Sequence, residues 1–560
     1  MSDPNSGPRW RVIEFGDRAL LVETGDVGAA HQLANEVADR MAAGDAPGGV
    51  DDVAVGFASV VVVLDPDPEQ ADQDAVASWL ARVTEGARSG GRRRRSRRSR
   101  RTHILPVVFD GPDLGEVAAA VGNPIHRVVD LVVAADLEVA FVGFAPGFPY
   151  LTGLPAPLAE LPRRPTPRTS VPAGSLAVAA GFAAVYPRST PGGWHLLGRT
   201  AVTLFDPDVP PHNRMAPGDR VRITVVGPDE VPPVVDDVDR PALDAGDGQC
   251  LEVLEPGLMT TVQDNGRRGC THLGVPAAGA ADPRSLTLVN LLLGNPPASA
   301  ALECTASGPT LRVGGDGYLA VVGVAPGSVE VTVDGHPVPD CTVLPVTDGQ
   351  VVCIGRVRRG LRAYLGVTGG LTTPILFGSQ SSDSLAGLGP GPLRVGDRLG
   401  RGTGGRPRGS LAPPAIVVPD GTATLRVLPG PHGSPSPGLT TTRWQVGPDI
   451  DRIGVRLEPV DRSRLDAGGP RASLPMVTGA VQVPPDGRPI ILLPDHATVG
   501  GYPVVACVVA ADLALLGQLV PGDAVAFVEV DRSTASRSAR AERLDRDARV
   551  MGWFPTVAGT

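Results

Sequence analysis

Apolar positions recur with two different periods over the first 88 residues. In RWRVIEFGDRALLVE (9–23) they follow a strand-like pattern, and the β-branched run SVVVVL (59–64) predicts another strand. AAHQLANEVADRMAA (29–43) and QDAVASWLARVTEG (73–86) instead space them three and four apart, as amphipathic helices do. This order predicts a small α+β domain over 1–88, ended by a linker at 89–101. From 102 to 226 the short runs HILPVVF, LEVAFVGF, SLAVAAGFAAVY, WHLLGRTAVTLF and DRVRITVV alternate with Pro/Gly turns, interrupted by one helix near 113–121. Such spacing is that of a barrel or sandwich.

A Pro- and Asp-rich connector (227–248) leads into a second strand-and-turn region, 249–400 and 401–530, divided by a Gly/Arg/Pro stretch at 400–414. Its one clear helix is DPRSLTLVNLLLG, with Asp282 as a candidate N-cap ahead of Pro283. A charged tail, 531–560, closes the chain. Two stretches resemble each other: both run from a Gly-Gly-aromatic turn (192–194 and 500–502) to a PGD turn (217–219 and 521–523) and an alternating strand. Either a unit is duplicated, or PGD is simply a favourable β-turn used twice.

Composition narrows the chemistry. Gly (71) and Pro (58) are abundant while aromatic residues supply 4%, which favours turns and short strands over long helices. No lysine occurs in the 560 residues, so all 51 Lys-or-Arg positions are arginine. GC-rich coding is enough to account for this. A Walker-type phosphate loop, a pyridoxal or Schiff-base enzyme and a biotinylated carrier each require a lysine, so none fits this chain. Cys250, Cys270, Cys304, Cys341, Cys353 and Cys507 form no CxxC pair, so neither a metal site nor a disulfide framework is expected, and a cytoplasmic location fits. No apolar run is long enough to span a membrane. Removing the eight arginines of GRRRRSRRSRR (91–101) from the net charge of −9 leaves −17. The run lacks interleaved aromatics and is read as a solvated linker, without a nucleic-acid partner.

FVGFAPGFPYLTGLP (141–155), PRRPTPRTSVPAGS (162–175) and STPGGWHLLGRT (189–200) resemble hallmark segments of the B subunit of 5-oxoprolinase, also known as allophanate hydrolase subunit 1. VLEPGLMTTVQDNGRRGCTHLGVP (253–276), NLLLGNPPASAALE (290–303), RAYLGVTGG (362–370) and VQVPPDGRPIILLPDHATVGGYP (481–503) resemble the C subunit of the same enzyme. The resemblance implies a B–C fusion related to the carboxyltransferase region of urea carboxylase. The fold it implies is mainly β with α+β parts: tandem cyclophilin-like β-barrel domains plus the small N-terminal α+β domain. It further implies the ATP-dependent opening of 5-oxo-L-proline to L-glutamate in partnership with a separate 5-oxoprolinase A subunit. ATP as co-substrate with Mg2+ is implied too, and no biotin on this chain. Two other functions remain open: an allophanate hydrolase or urea carboxylase-type component served by a separate biotin carrier, and a regulator that inhibits a histidine kinase. Self-association is compatible with each.

In the first hallmark, turns at Gly143, Pro146 and Gly147 bring backbone close to a ligand, and Phe144, Phe148 and Tyr150 exclude water around it; the same residues would also suit a core corner. A lactam carboxylate needs a cation, for which Arg163, Arg168, Arg199 and Arg267 are candidates, each equally able to brace a loop. Gly192, Gly193, Trp194, Gly500, Gly501 and Tyr502 complete the candidate substrate-binding set. Asp264 either orients Arg267 or acts as a base; His272, His195 and His496 are candidate acids or bases; Asp282 is a helix cap or a catalytic carboxylate. Compared with the family pattern, polar residues are missing at Val132, Val133, Phe182 and Ala497, and RASLPMVTGA (471–480) is altered. These departures put the substrate, and activity itself, in question.

Overall fold

The computed structural model describes residues 10–551 apart from 66–71, 90–99, 232–241, 247, 408–420, 432, 434–436, 462–463, 467 and 469–471; of 87–89, 437 and 545–551 it describes backbone only. The expected arginine linker, the middle of the 227–248 connector, most of the 400–414 divider and the last nine residues of the tail therefore fall largely outside the described residues. The described part of the tail is a helix, Arg532–Met551.

The N-terminal domain is a four-stranded antiparallel sheet in the order Arg11–Glu14, Ala19–Glu23, Ser59–Leu64, Val50–Val55. Helices Val27–Ala42, capped by Asp26 on the Ala29 N–H at 2.9 Å, and Gln73–Ser89 belong to the same domain. Successive strand residues face opposite ways. Leu20, Val22, Val60 and Val62 therefore pack on the helices, while Leu21 and Val61 pack on Leu474, Met476, Val504 and Cys507 of a distant domain. Both faces are covered, which is why SVVVVL shows no polar alternation.

Residues 102–225 form a sheet in the order Thr102–Val107, Arg220–Val225, Leu137–Val142, Pro149–Thr152, Phe182–Val185, Ser175–Ala179, His195–Arg199. A bridge between Val108 and Arg199 joins its two ends. Residues 422–529 form a closed barrel in the order Thr422–Pro429, Ala524–Glu529, Trp444–Ile450, Gly454–Pro459, Ile490–Leu492, Ala480–Gln482, Val504–Val508. The two orders coincide strand for strand. In each, the first and last strands pair parallel, Thr102 with Arg220 and Thr422 with Ala524. Each unit also carries a separate two-stranded ribbon, Arg168–Val171 with Thr190–Gly192 and Leu474–Pro475 with Val499–Gly500. Shared topology at this level establishes a duplicated unit, since a common PGD turn alone would not reproduce a seven-strand order.

Between the barrels lie residues 250–401, the first part of the second strand-and-turn region. They form two facing sheets of seven and five strands, with Leu251, Val253, Leu311 and Val352 of one meeting Leu302, Val321 and Leu365 of the other. Helix Pro283–Leu292 covers the outer face of the smaller sheet through Leu286 and Val289. One difference from the sequence reading lies in the first barrel unit, where the expected helix, Leu114–Ala120, is followed by another at Ile125–Val133. Val128 and Val132, four apart, bury one face of it, so the Val132 position serves the core.

Candidate active site

Residues 264–280, DNGRRGCTHLGVPAAGA, touch every domain. Arg268 Nη1 lies 3.2 Å from Asp51 Oδ1 and 2.7 Å from Asp65 Oδ2 of the N-terminal domain. The Thr271 N–H donates to Asp52 Oδ2 at 3.0 Å, and its hydroxyl donates to the same oxygen. Leu273 O accepts from the Gly147 N–H of the first barrel at 3.2 Å, and the Ala278 N–H donates to Pro494 O of the second at 3.2 Å. Only glycine fits at Gly274: its φ is +78°, and a Cβ there would stand 2.4 Å from Ala145 O.

Asp264 organises the floor of this turn. Its Oδ1 accepts from the Gly266 N–H (2.8 Å), Ser379 Oγ (2.6 Å) and Ser381 Oγ (2.5 Å), and its Oδ2 from the Gln380 N–H (2.7 Å). Asp264 makes no hydrogen bond to Arg267, so the idea that it orients Arg267 gives way to a role in fixing the Ser379–Ser381 segment. Arg267 is 2% exposed and donates from Nη2 to Ser381 O, while Nε and Nη1 have no protein partner. Burial lowers its pKa, and Asp383, Asp264 and Asp495 oppose that. Gln263 Nε2 donates to Ser382 O at 3.0 Å, leaving Oε1 without a partner.

Asp383 follows those two carbonyls. Its Oδ1 accepts from the Ala386 N–H at 2.7 Å, and its Oδ2 has no partner. Burial, and then the charge of Asp495, push its pKa up to about 8, so it is largely protonated at neutral pH. Next to it runs a fully bonded ionic chain. Arg452 Nη2 is 2.8 Å from Asp495 Oδ1 and its Nη1 meets Glu303, while Glu303 Oε2 accepts from Tyr364 Oη (2.6 Å) and the Ala281 N–H (2.8 Å). Burial works against the Glu303 charge, but Arg452 and Arg362 outweigh it and hold its pKa low. Neither Asp383 nor Glu303, Arg362, Arg452 and Asp495 stood out in the sequence. The available signals were the polar run SQSSDS (379–384) between apolar neighbours and the charges of Glu303 and Arg362 within largely apolar strands.

The remaining candidates are distributed elsewhere. Asp282 is buried as a helix cap: it accepts from the Arg284 and Ser285 N–H groups, both at 3.1 Å, and from Gln518 Nε2 at 2.7 Å. His272 lies exposed on a short 3-10 turn. His195 Nε2 sits 3.0 Å from Pro162 O and His496 Nδ1 2.9 Å from Ala497 O. Burial lowers the His496 pKa. Arg168 Nη2 pairs with Asp113 Oδ1 at 2.6 Å, and Arg199 Nε with Asp110 Oδ2 at 2.9 Å; these two arginines brace loops of their own barrel.

The hallmark of 141–155 is an aromatic wall at the junction of the barrels. Phe148, Tyr150, Phe182 and Trp194 pack edge to face or tilted except for Phe182 stacked on Trp194, with Phe144 edge-on to Phe148. Phe182, where the family pattern has a polar residue, is thus part of this cluster. A Cβ on Gly143 would lie 2.4 Å from Val499 Cγ2, and the Gly147 N–H is taken by Leu273 O. The turns at Gly143 and Gly147 therefore bring domains together, as the core-corner alternative has it. Gly192 seats against Tyr186 and Gly193 near Pro167. Arg163 reaches across the junction to Ser473 Oγ at 3.5 Å, beside Gly501 and Tyr150, with Gly500 against Gln482; Tyr502 is half-buried next to them.

Comparison with known proteins places this architecture. Residues 10–215 match the family model for carboxyltransferase domain, subdomain C and D, and residues 273–529 that for carboxyltransferase domain, subdomain A and B. The chain belongs to the carboxyltransferase-domain family, as a fused form of the two proteins known separately as the B and C subunits of 5-oxoprolinase. It is 33% identical over 302 residues to the 5-oxoprolinase C subunit of Escherichia coli K12, covering 51% of this chain and 94% of that protein. It is 31% identical over 235 residues to the 5-oxoprolinase B subunit of Bacillus subtilis 168, covering 38% of this chain and 92% of that protein. The crystal structure of TTHA0988 superposes with a TM-score of 0.78 at 32% identity, covering 91% of this chain and 100% of that one.

Proposed function

We propose that this protein is the fused B and C component of an ATP-dependent 5-oxoprolinase. With a separate A-subunit homologue it converts 5-oxo-L-proline, ATP and water into L-glutamate, ADP and phosphate. The observation that carries the reading is the interlocking of the two halves. Parts that match separate subunits are here joined around one turn, 264–280, whose neighbours come from both halves. A site shared between halves explains why relatives of each would act together. In this reading the chain handles the lactam, while ATP and Mg2+ act in the assembly formed with the A-type partner. Lacking lysine, the chain would meet phosphate through arginine and backbone N–H groups.

The test is glutamate release from 5-oxo-L-proline and ATP, using the purified chain with and without an A-subunit homologue. Release only with both supports the reading. Turnover by the chain alone, or none from well-folded protein in either mixture, contradicts it.

A further inference from the structure

Three side chains along the 381–383 segment keep polar atoms that no described protein group satisfies: Arg267 Nε and Nη1, Asp383 Oδ2 and Gln263 Oε1. All three residues are at most 2% exposed. Unsatisfied polar atoms in such positions are costly, at roughly 1–3 kcal/mol each, so three residues of this kind on one segment call for a partner. Their chemistry is complementary: a planar cation with free N–H donors, a carboxyl oxygen and an amide oxygen that can only accept. Asp264 fixes the 379–381 segment through three hydrogen bonds to its carboxylate, and Arg452 binds Asp495, whose charge acts on Asp383, so the groups are pre-positioned.

We propose that this cluster is the recognition site for a small monocarboxylate bearing a cyclic amide, with the carboxylate on Arg267, the amide N–H on Gln263 Oε1 and the amide carbonyl on Asp383. The lactam part rests on the function proposed above; the Arg267 contact with a carboxylate does not. At neutral pH the protonated Asp383 carboxyl can donate to a carbonyl oxygen, polarising it toward attack or phosphorylation. Entry requires movement of the overlying turn, in which Gly266, Gly269 and Gly274 all have positive φ and Arg268 and Thr271 hold the N-terminal domain. Closure over the ligand excludes water and strengthens a guanidinium–carboxylate contact.

The test is titration calorimetry on the full chain with three probes: 5-oxo-L-proline, 2-pyrrolidinone, which lacks the carboxylate, and cyclopentanecarboxylate, which lacks the amide. Wild type is expected to bind 5-oxo-L-proline at least about tenfold more tightly than either truncated probe. Arg267→Met should lower the affinity for 5-oxo-L-proline to that for 2-pyrrolidinone, and Arg267→Lys should fall between. Equal binding of all three probes by wild type, no binding of any, or an Arg267→Met variant that still prefers 5-oxo-L-proline overturns the inference. The wild-type comparison needs no variant to fold. Glutamate release is read separately: binding that follows this pattern without turnover leaves the site standing and removes the proposed reaction, and turnover that survives Arg267→Met does the reverse.

Discussion

Replacing Asp383 by asparagine removes one buried ionisation and little else, because the amide keeps the shape and can still accept from the Ala386 N–H. In the unfolded chain this carboxyl has its ordinary value of 3.8; in the folded protein, burial and Asp495 push it up to about 8. Between those values the folded protein keeps a proton that the unfolded chain has released. The group's contribution to stability is thus complete below about pH 4, declines as pH rises, and is gone once pH passes about 8. One unit of pH within that window is worth at most about 1.4 kcal/mol, so the ceiling between pH 5.5 and 7.5 is roughly 2.7 kcal/mol. The groups facing Asp383 are Arg267 from the 264–280 turn and Asp495 and Arg452 from the second barrel.

Urea unfolding followed by tryptophan fluorescence at constant ionic strength, from pH 5.5 to 7.5, measures the effect. Other titrating groups are common to both proteins and cancel in the difference. The Asp383→Asn variant should gain on wild type with every step up in pH, by as much as roughly 2–3 kcal/mol across the range. A difference that stays constant within about 0.5 kcal/mol would mean that Asp383 is ionised in the fold, and the assignment of a protonated acid beside Arg267 would fall.

Arg452→Met leaves Glu303 and Asp495 buried without their shared cation, so it should cost about 3–5 kcal/mol in urea unfolding; a loss below about 1 kcal/mol would count against the ionic chain as a fastening between sandwich and barrel. Gly274→Ala introduces both an unfavourable φ and a contact with Ala145 O, and should cost more than Gly218→Ala, where φ is +86° but nothing lies within 4 Å of the new Cβ. Equal unfolding midpoints for these two would remove the argument from close approach. Arg268→Ala should change global stability by less than about 1 kcal/mol, since the arginine of these pairs is about half in solvent, yet speed amide hydrogen exchange in the 269–274 segment. Unchanged exchange there would show that the N-terminal domain does not hold the turn.

Strand and helix patterns were readable because each reports its own neighbourhood. DRVRITVV alternates since only Val221 and Ile223 face the barrel interior, and SVVVVL does not since two domains cover its sheet. The sandwich was harder to tell from a barrel, because inward-facing alternation is the same whether a sheet closes on itself or meets another. Arg267 was legible from its glycine-rich motif. Asp383 was not, because what distinguishes it is an unpaired oxygen beside a charge supplied from position 495, a relation no local pattern contains. Asp264 had the right motif and a different task, since four donors from 266 and 379–381 claim its oxygens.

The duplicated barrels show how one motif can serve two purposes. In the first copy, the Gly-Gly-aromatic turn is internal: a Cβ on Gly192 would stand 2.3 Å from Tyr186 Oη of the same barrel. In the second it is interfacial: a Cβ on Gly501 would stand 2.4 Å from Arg163 Nη2 of the other barrel. At Gly501 the absence of a Cβ leaves room for an arginine to cross between the halves and reach Ser473. Duplication therefore supplied the strand order, and the division of labour between the copies came from what each turn was packed against. That asymmetry puts contacts between the two barrels at 143–147, 163 and 498–501, and with the 264–280 turn these are segments through which a change at Arg267 would be felt by the first barrel.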